Sequence, residues 1–161
     1  MNEITISNTT KQPKGFFEIG IDHPAHSENI GTLWRSAYQL GAAGIFNIGQ
    51  PKEKTSADTQ RTWCQIPYRI SNTFDDFYQN LPFSTQLIGI EIGGTPITQF
   101  VHPDRCVYLL GSEHNGLSKK ILSSCHAVIS LESVRSASYN VAVAGSLVMF
   151  HRYMQRNSDI K

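Results

Sequence analysis

The feature that most constrains the fold is an alternation of short apolar runs with segments of helical spacing. The runs are FFEIGI (16–21), GIFNIG (44–49), QLIGIEI (86–92), RCVYLLG (105–111) and HAVISL (126–131). Each is short, rich in branched or aromatic residues and bounded by turn-forming residues, so each reads as a buried strand. Between the first two, Ile30, Leu33, Trp34, Ala37 and Leu40 recur at helical spacing, with Ser27 as candidate N-cap and Gly41 closing the run. TFDDFYQNL (73–81) and SKKILSSC (118–125) read as short helices, and SASYNVAVAGSLVMFHRYMQR (136–156) as a long one. Strands that alternate with helices predict an α/β protein with a mostly parallel sheet flanked by helices.

Length and composition narrow the class. The 161 residues fit one domain, expected over 16–157 behind a flexible tail at 1–15. A chain of this size buries ~70% of its unfolded surface and needs no staple. No apolar run approaches the ~18 residues of a membrane helix, and the opening MNEITISNTTKQPKG has no hydrophobic signal core. A cytoplasmic protein without a membrane partner is the expectation. Cys64, Cys106 and Cys125 are odd in number and widely spaced, and the six histidines show no ligand spacing, so reduced thiols and no metal are expected. A net charge of +1 neither requires nor excludes nucleic acid. The polar stretch from Gln50 to Arg61 reads as an irregular surface loop.

Ligands of open parallel sheets bind at the carboxyl ends of the strands. The unusual stretches fall there: HPAHSENIGTLWR after the first strand, EIGGTP after QLIGI, GSEHNGLS after CVYLL and SLESVRSASYN after HAVI. The third is one residue from a phosphate-binding P-loop. Gly111, Gly116 and Ser118 are in place, but Leu117 stands where a lysine would meet the outer phosphates, so a triphosphate is disfavoured. No G-x-G-x-x-G follows any strand, which disfavours a nicotinamide cofactor. What remains is a glycine-flanked turn with one carboxylate, Glu113, and backbone open to a small polar ligand.

Three stretches together, NIGTLWR (29–35), LLGSEHNGLS (109–118) and SYNVAVAG (138–145), resemble the three motifs of the SpoU/TrmH family of RNA ribose 2′-O-methyltransferases, in the SPOUT superfamily. The resemblance runs from residue 16 almost to the end. It implies an α/β fold with a trefoil knot near the C-terminus, S-adenosylmethionine bound there, and a homodimer. It puts Asn29 and Arg35 at the reacting end, and it makes Leu110, Gly111, Ser112, Glu113 and Gly116 one wall of the cofactor site. It implies that the third motif brings Ser138 and Asn140, that the backbone of Ile129 and Leu131 lines the adenosine, and that Glu91, in the loop after QLIGI, reaches the same pocket. Three positions depart from the family pattern: Tyr139 for leucine, Ala142 for serine and Ser130 for proline.

The implied reaction needs a ribose oxygen in line with a sulfonium methyl, so positioning carries much of the catalysis. A guanidinium stays charged and is a poor base. Arg35 is therefore expected to clamp a neighbouring RNA phosphate and stabilise the developing alkoxide, with that phosphate as candidate proton acceptor. Asn29, Glu113, Ser138 and Asn140 complete the expected catalytic set. RNA contacts are expected from Arg35, Lys52, Lys54, Arg61, Arg69, Lys119 and Lys120, because neutralising phosphates supplies most nonspecific affinity. A 15-residue tail is too short to be an RNA-binding domain, which favours tRNA over rRNA. Leu147, Val148, Phe150 and Met154 are expected on one apolar face of the last helix, as a dimer seam. The alternative is a noncatalytic S-adenosylmethionine-binding module or regulator of RNA.

Overall fold

A computed structural model describes residues 15–50 and 65–158. Its strands are β1 (Phe16–Asp22), β2 (Gly44–Ile48), β3 (Tyr68–Ser71), β4 (Gln86–Pro96), β5 (Arg105–Leu110) and β6 (Ala127–Ser130). Its helices are α1 (Ser27–Gln39), α2 (Phe74–Gln79), α3 (Lys119–Ser124) and α4 (Val141–Ser158), with a 3₁₀ turn at Ile97–Gln99. The strands form one parallel sheet in the order β3-β2-β1-β5-β4-β6.

Side chains alternate across the sheet and build two cores. Phe17, Ile19 and Ile21 of β1 and Tyr108 and Leu110 of β5 pack with Leu33 and Ala37 of α1 and Val148 and Met149 of α4. Val107 and Leu109 face the other way, joining Phe46, Phe74, Phe77 and Ile121 under α2 and α3. Helices α1 and α4 approach so closely at Gly145 that a Cβ there would lie 2.5 Å from Leu33 Cδ1. Ser146 Oγ donates to Ser36 Oγ at 2.7 Å across the same seam.

The structure departs from the sequence reading at several points. Ser27 is the first helical residue of α1, and extended His26 takes the cap position without a side-chain cap bond. β3 is an additional edge strand; four residues behind Pro67 give too little pattern to read, and Arg69 fastens it by an ion pair to buried Glu18. β4 runs on to Pro96 through an irregularity between Ile90 and Thr95, so Glu91 sits within the strand, as the run 86–92 reads, and the rest of EIGGTP continues it instead of forming a loop. The last helix starts at Val141, and Ser136–Asn140 precede it. Val148 is fully buried, because it turns toward the sheet; the exposed stripe of α4 is Val143, Leu147, Phe150 and Met154. Cys106 and Cys125 are free thiols. The Gln50–Arg61 loop, Cys64 and the 1–15 tail fall on or run into residues outside the described ones.

The last turns of α4 are bolted beneath the amino ends of the strands. Buried Arg152 donates to the carbonyls of Pro103 (2.6 Å) and Asp104 (3.0 Å), and its guanidinium lies 5.0 Å from the Phe17 ring centre. The buried His102 ring bridges Tyr108 Oη at 2.5 Å and His151 Nδ1 at 2.9 Å. Burial, and then the nearby His151, Arg152 and Arg156, push the His102 imidazole down to about 3. The unfolded chain therefore takes up a proton near pH 6.5 that the folded chain refuses. Stability is full above that pH and falls by about 1.4 kcal/mol per pH unit as the pH drops toward 3. Urea midpoints between pH 7 and 4 check this: His102→Gln is expected to be less stable at pH 7 but to show a flatter acid slope.

Candidate active site

Four segments meet at the carboxyl ends of β1, β5, β4 and β6, and each is shaped by a local constraint. The loop from β5 to α3 folds back on itself: Gly116 N donates to Ser112 O at 3.0 Å and Asn115 N to Ser112 Oγ at 3.2 Å. Ser118 caps α3 by accepting from Ile121 N. Gly116 has φ +63, and a Cβ on it would press into the Glu91 carboxylate. A Cβ on Gly111 would collide with the backbone of Gly116 and Leu117. Leu117 itself is buried in the α3 core, which is why the position holds no phosphate-binding cation. Glu91 accepts from Leu117 N at 2.7 Å and from Ile92 N at 3.0 Å, and so ties the loop to β4.

Glu113 ties the β5–α3 loop to the segment that leads into α1 and to a side chain of its first turn. Its Oε2 accepts from Ala25 N at 2.8 Å and its Oε1 from Asn29 Nδ2 at 2.7 Å. Asn29 in turn accepts from Asn140 Nδ2 at 3.0 Å. The Oδ1 of Asn140 caps α4, taking N–H groups from Ala142 (2.9 Å) and Val143 (3.2 Å). One polar chain thus joins the starts of both long helices to the β5–α3 loop. Burial raises the Glu113 carboxyl, but hydrogen bonds from Ala25, Asn29 and the neighbouring backbone outweigh it and hold the group below its ordinary value. The carboxylate is charged at neutral pH.

A cavity of about 420 Å³ opens beside this chain. Glu91, Leu110, Gly111, Ser112, Glu113, Gly116, Leu131 and Ser138 all line it. Asn29 and Asn140 are not among its lining residues: Asn29 is linked to it by the bond to Glu113, and Asn140, expected at the cofactor, only through Asn29. Ile129 does not line it: this residue is buried in the sheet core, and Ser130 and Leu131 form that wall. The loop before α4 is clasped by Tyr139 Oη, which donates to Glu132 O at 2.8 Å. Sequence reasoning missed Ile90, Ile92, Val141 and Ala144 as wall residues; Val141 and Ala144, three apart on α4, were the legible pair.

Arg35 stands apart from the cavity. It is exposed on α1, nearly two turns beyond Asn29, and has no hydrogen bond or ion pair with another described residue. Lys119 is exposed at the start of α3, whereas Lys120 pairs with Asp75 and Arg69 with Glu18. Lys52, Lys54 and Arg61 lie outside the described residues. Among the described residues, no three His, Cys, Asp or Glu side chains gather as a metal site, and no helix is long and apolar enough to cross a membrane.

A parallel α/β sheet with a cavity at its strand ends, floored by bare glycine backbone, defines a protein that takes a compact organic ligand. The profile of the SpoU rRNA methylase family matches residues 17–150, and the chain belongs to that family. It is 26% identical over 151 residues to an uncharacterized tRNA/rRNA methyltransferase of Mycobacterium avium (strain 104), covering 86% of this chain and 47% of that protein. The chain therefore spans about half the length of the curated relatives it matches. Among solved structures, the SpoU methyltransferase AviRb from Streptomyces viridochromogenes aligns at a TM-score of 0.81 and 23% identity, covering 91% of this chain and 62% of that one. A structure described as giving insight into the 2-OH methylation of C/U34 on tRNA aligns at 0.81 and 20% identity, covering 91% and 99%. At such identities the likeness is one of fold.

Proposed function

We propose that the protein transfers the methyl group of S-adenosylmethionine to a ribose 2′-hydroxyl of RNA, with tRNA favoured over rRNA. The observation that carries this reading is the Asn140–Asn29–Glu113 chain at the edge of a glycine-walled cavity. The cavity suits the cofactor: its volume is that of a small-molecule site, and the missing side chains at Gly111 and Gly116 leave backbone for a nucleoside to approach. AviRb has also been solved in complex with AdoMet. When bound, the cofactor supplies a methyl carbon on a positively charged sulfur. Ser112, Ser138 and the backbone of Leu110, Gly111 and Leu131 would hold it, and Glu113 and Asn29 would orient the ribose. The near-complete coverage of a neighbour concerned with tRNA supports the tRNA preference. The trefoil knot, the absence of a metal requirement and a cytoplasmic site of action belong to the same reading.

Arg35 is assigned the phosphate clamp. Its fork matches two phosphate oxygens, and its exposure without a partner among the described residues leaves it available. The test incubates the protein with radiolabelled S-adenosylmethionine and bulk tRNA, then rRNA, and digests the RNA to locate the label. Label in a tRNA ribose is expected, with Arg35→Lys slower by roughly 10- to 100-fold. Near-normal turnover of Arg35→Lys rejects the clamp. Cofactor binding without label in either RNA points to the noncatalytic module.

The proposal includes a homodimer packed through the exposed stripe of α4. Val143, Leu147, Phe150 and Met154 are each 40–51% exposed at heptad-like spacing. Phe150→Glu is expected to convert a sedimenting dimer to a monomer at micromolar concentration. A monomeric wild type under the same conditions rejects the seam.

A further inference from the structure

Methyl transfer to a ribose oxygen requires a group to take the hydroxyl proton, and the residues around the cavity leave few acceptors. Glu113 has each carboxylate oxygen engaged by an N–H donor, and those bonds favour its charged, unprotonated form. Glu91 has both oxygens engaged by backbone N–H groups. Tyr139 spends its hydroxyl proton on Glu132 O. Ser112, Ser138 and Asn115 are not basic in water, and an arginine stays charged.

Among the described residues that line the cavity, one imidazole is left. His114 lies in the cavity wall next to Glu113 and is exposed to solvent. Its ring meets the His26 ring edge to face, with centroids 6.3 Å apart and planes at 73°. It therefore stands where the β5–α3 loop faces the start of α1, beside the polar chain and open to an incoming ribose. The charged or titratable groups on the segments around it are Glu91 on β4, Glu113 in its own loop, His26 and Glu28 at the start of α1, and Glu132 and Arg135 before α4.

Building on the methyltransferase reading, we propose that His114 is the catalytic base of the reaction. An imidazole nitrogen accepts the 2′-hydroxyl proton as the ribose oxygen attacks the methyl carbon. The new C–O bond forms while the C–S bond breaks, and its electron pair stays on sulfur, leaving a neutral thioether. The imidazolium then releases its proton to solvent. The RNA phosphate held by Arg35 stays charged and serves only to position the ribose.

Methyl transfer to tRNA is measured for the whole chain and for His114→Ala and His114→Gln from pH 5.5 to 9, with S-adenosylhomocysteine affinity measured by calorimetry. Wild-type kcat/KM is expected to fall on the acid side with a slope of one proton, as base catalysis by histidine requires. His114→Ala is expected to lose about a hundredfold in rate, to lose that acid limb, and to regain part of the rate with added imidazole. Its S-adenosylhomocysteine affinity is expected to stay within about twofold, which separates lost chemistry from lost folding. A His114→Ala rate near that of the wild type, or a reduced rate with the acid limb intact and no rescue by imidazole, overturns the proposal. If the wild type binds the thioether yet methylates no RNA, the methyltransferase reading fails and the base assignment fails with it.

Discussion

Gly111→Ala is expected to abolish binding of S-adenosylmethionine and to destabilise the fold by about 2–3 kcal/mol. The added methyl has no flexible neighbour to displace. It meets the backbone of Gly116 and Leu117, which is pinned by Ser112 on one side and by the Glu91 carboxylate on the other. Relieving the clash means opening the turn that forms the cavity wall, and with it the backbone a nucleoside would contact. Calorimetry with S-adenosylhomocysteine reads the first effect and a urea midpoint the second. Retained micromolar affinity would mean that the turn is not part of the cofactor site.

Glu113→Gln is expected to slow methyl transfer on the order of 10³-fold, although it changes one oxygen to nitrogen. Both oxygens of Glu113 receive N–H donors, one from Ala25 and one from Asn29. A glutamine amide must present its own NH₂ to one of them. That donor-to-donor contact expels Asn29 or frays the start of α1, and the lost charge-assisted bonds cost about 1.5–3 kcal/mol each. Acid acts on the same group: the carboxyl is held below its ordinary value, so its contribution to stability is complete above about pH 4.5 and disappears as pH falls through the folded value. Single-turnover transfer to tRNA checks the rate, and Glu113→Asp distinguishes charge from reach.

The sequence was most informative where a side chain answers to its own element. Five strands and all four helices announce themselves through period and punctuation, and Gly116 and Ser118 do what a strand-to-helix turn demands. Relations between elements were less legible. Asn29 lies 84 residues from Glu113 and 111 from Asn140, so no local pattern could show that the three form one chain. Val148 looked like part of an exposed face because apolar residues surround it on every side of α4, and only the packing against the sheet decides which ones turn inward. The stretch EIGGTP looked like a loop because it holds Gly93 and Gly94; they instead let the strand bend and continue, with Gly94 so close to Val128 that a Cβ would sit 2.7 Å from its carbonyl. Arg35 shows the opposite limit, since its expected partner is RNA and no contact within the chain reveals it.

The strand order also governs how the molecule assembles. β1 takes β2 on one side from the nearby chain, but its other neighbour is β5, with Phe16 opposite Arg105. β5 must enter between β1 and β4, although β4 precedes it in the sequence. During synthesis the open edge of β1 therefore waits until β5, at residues 105–110 of 161, has emerged, and the long loops closed by this pairing slow folding and prolong exposure of an apolar strand. The cavity is completed only afterwards, when Ser138 and the head of α4 arrive. Ligand binding thus reports a state in which β4, β5, β6 and the head of α4 are all in place, and a cofactor analogue stabilises that whole state by mass action.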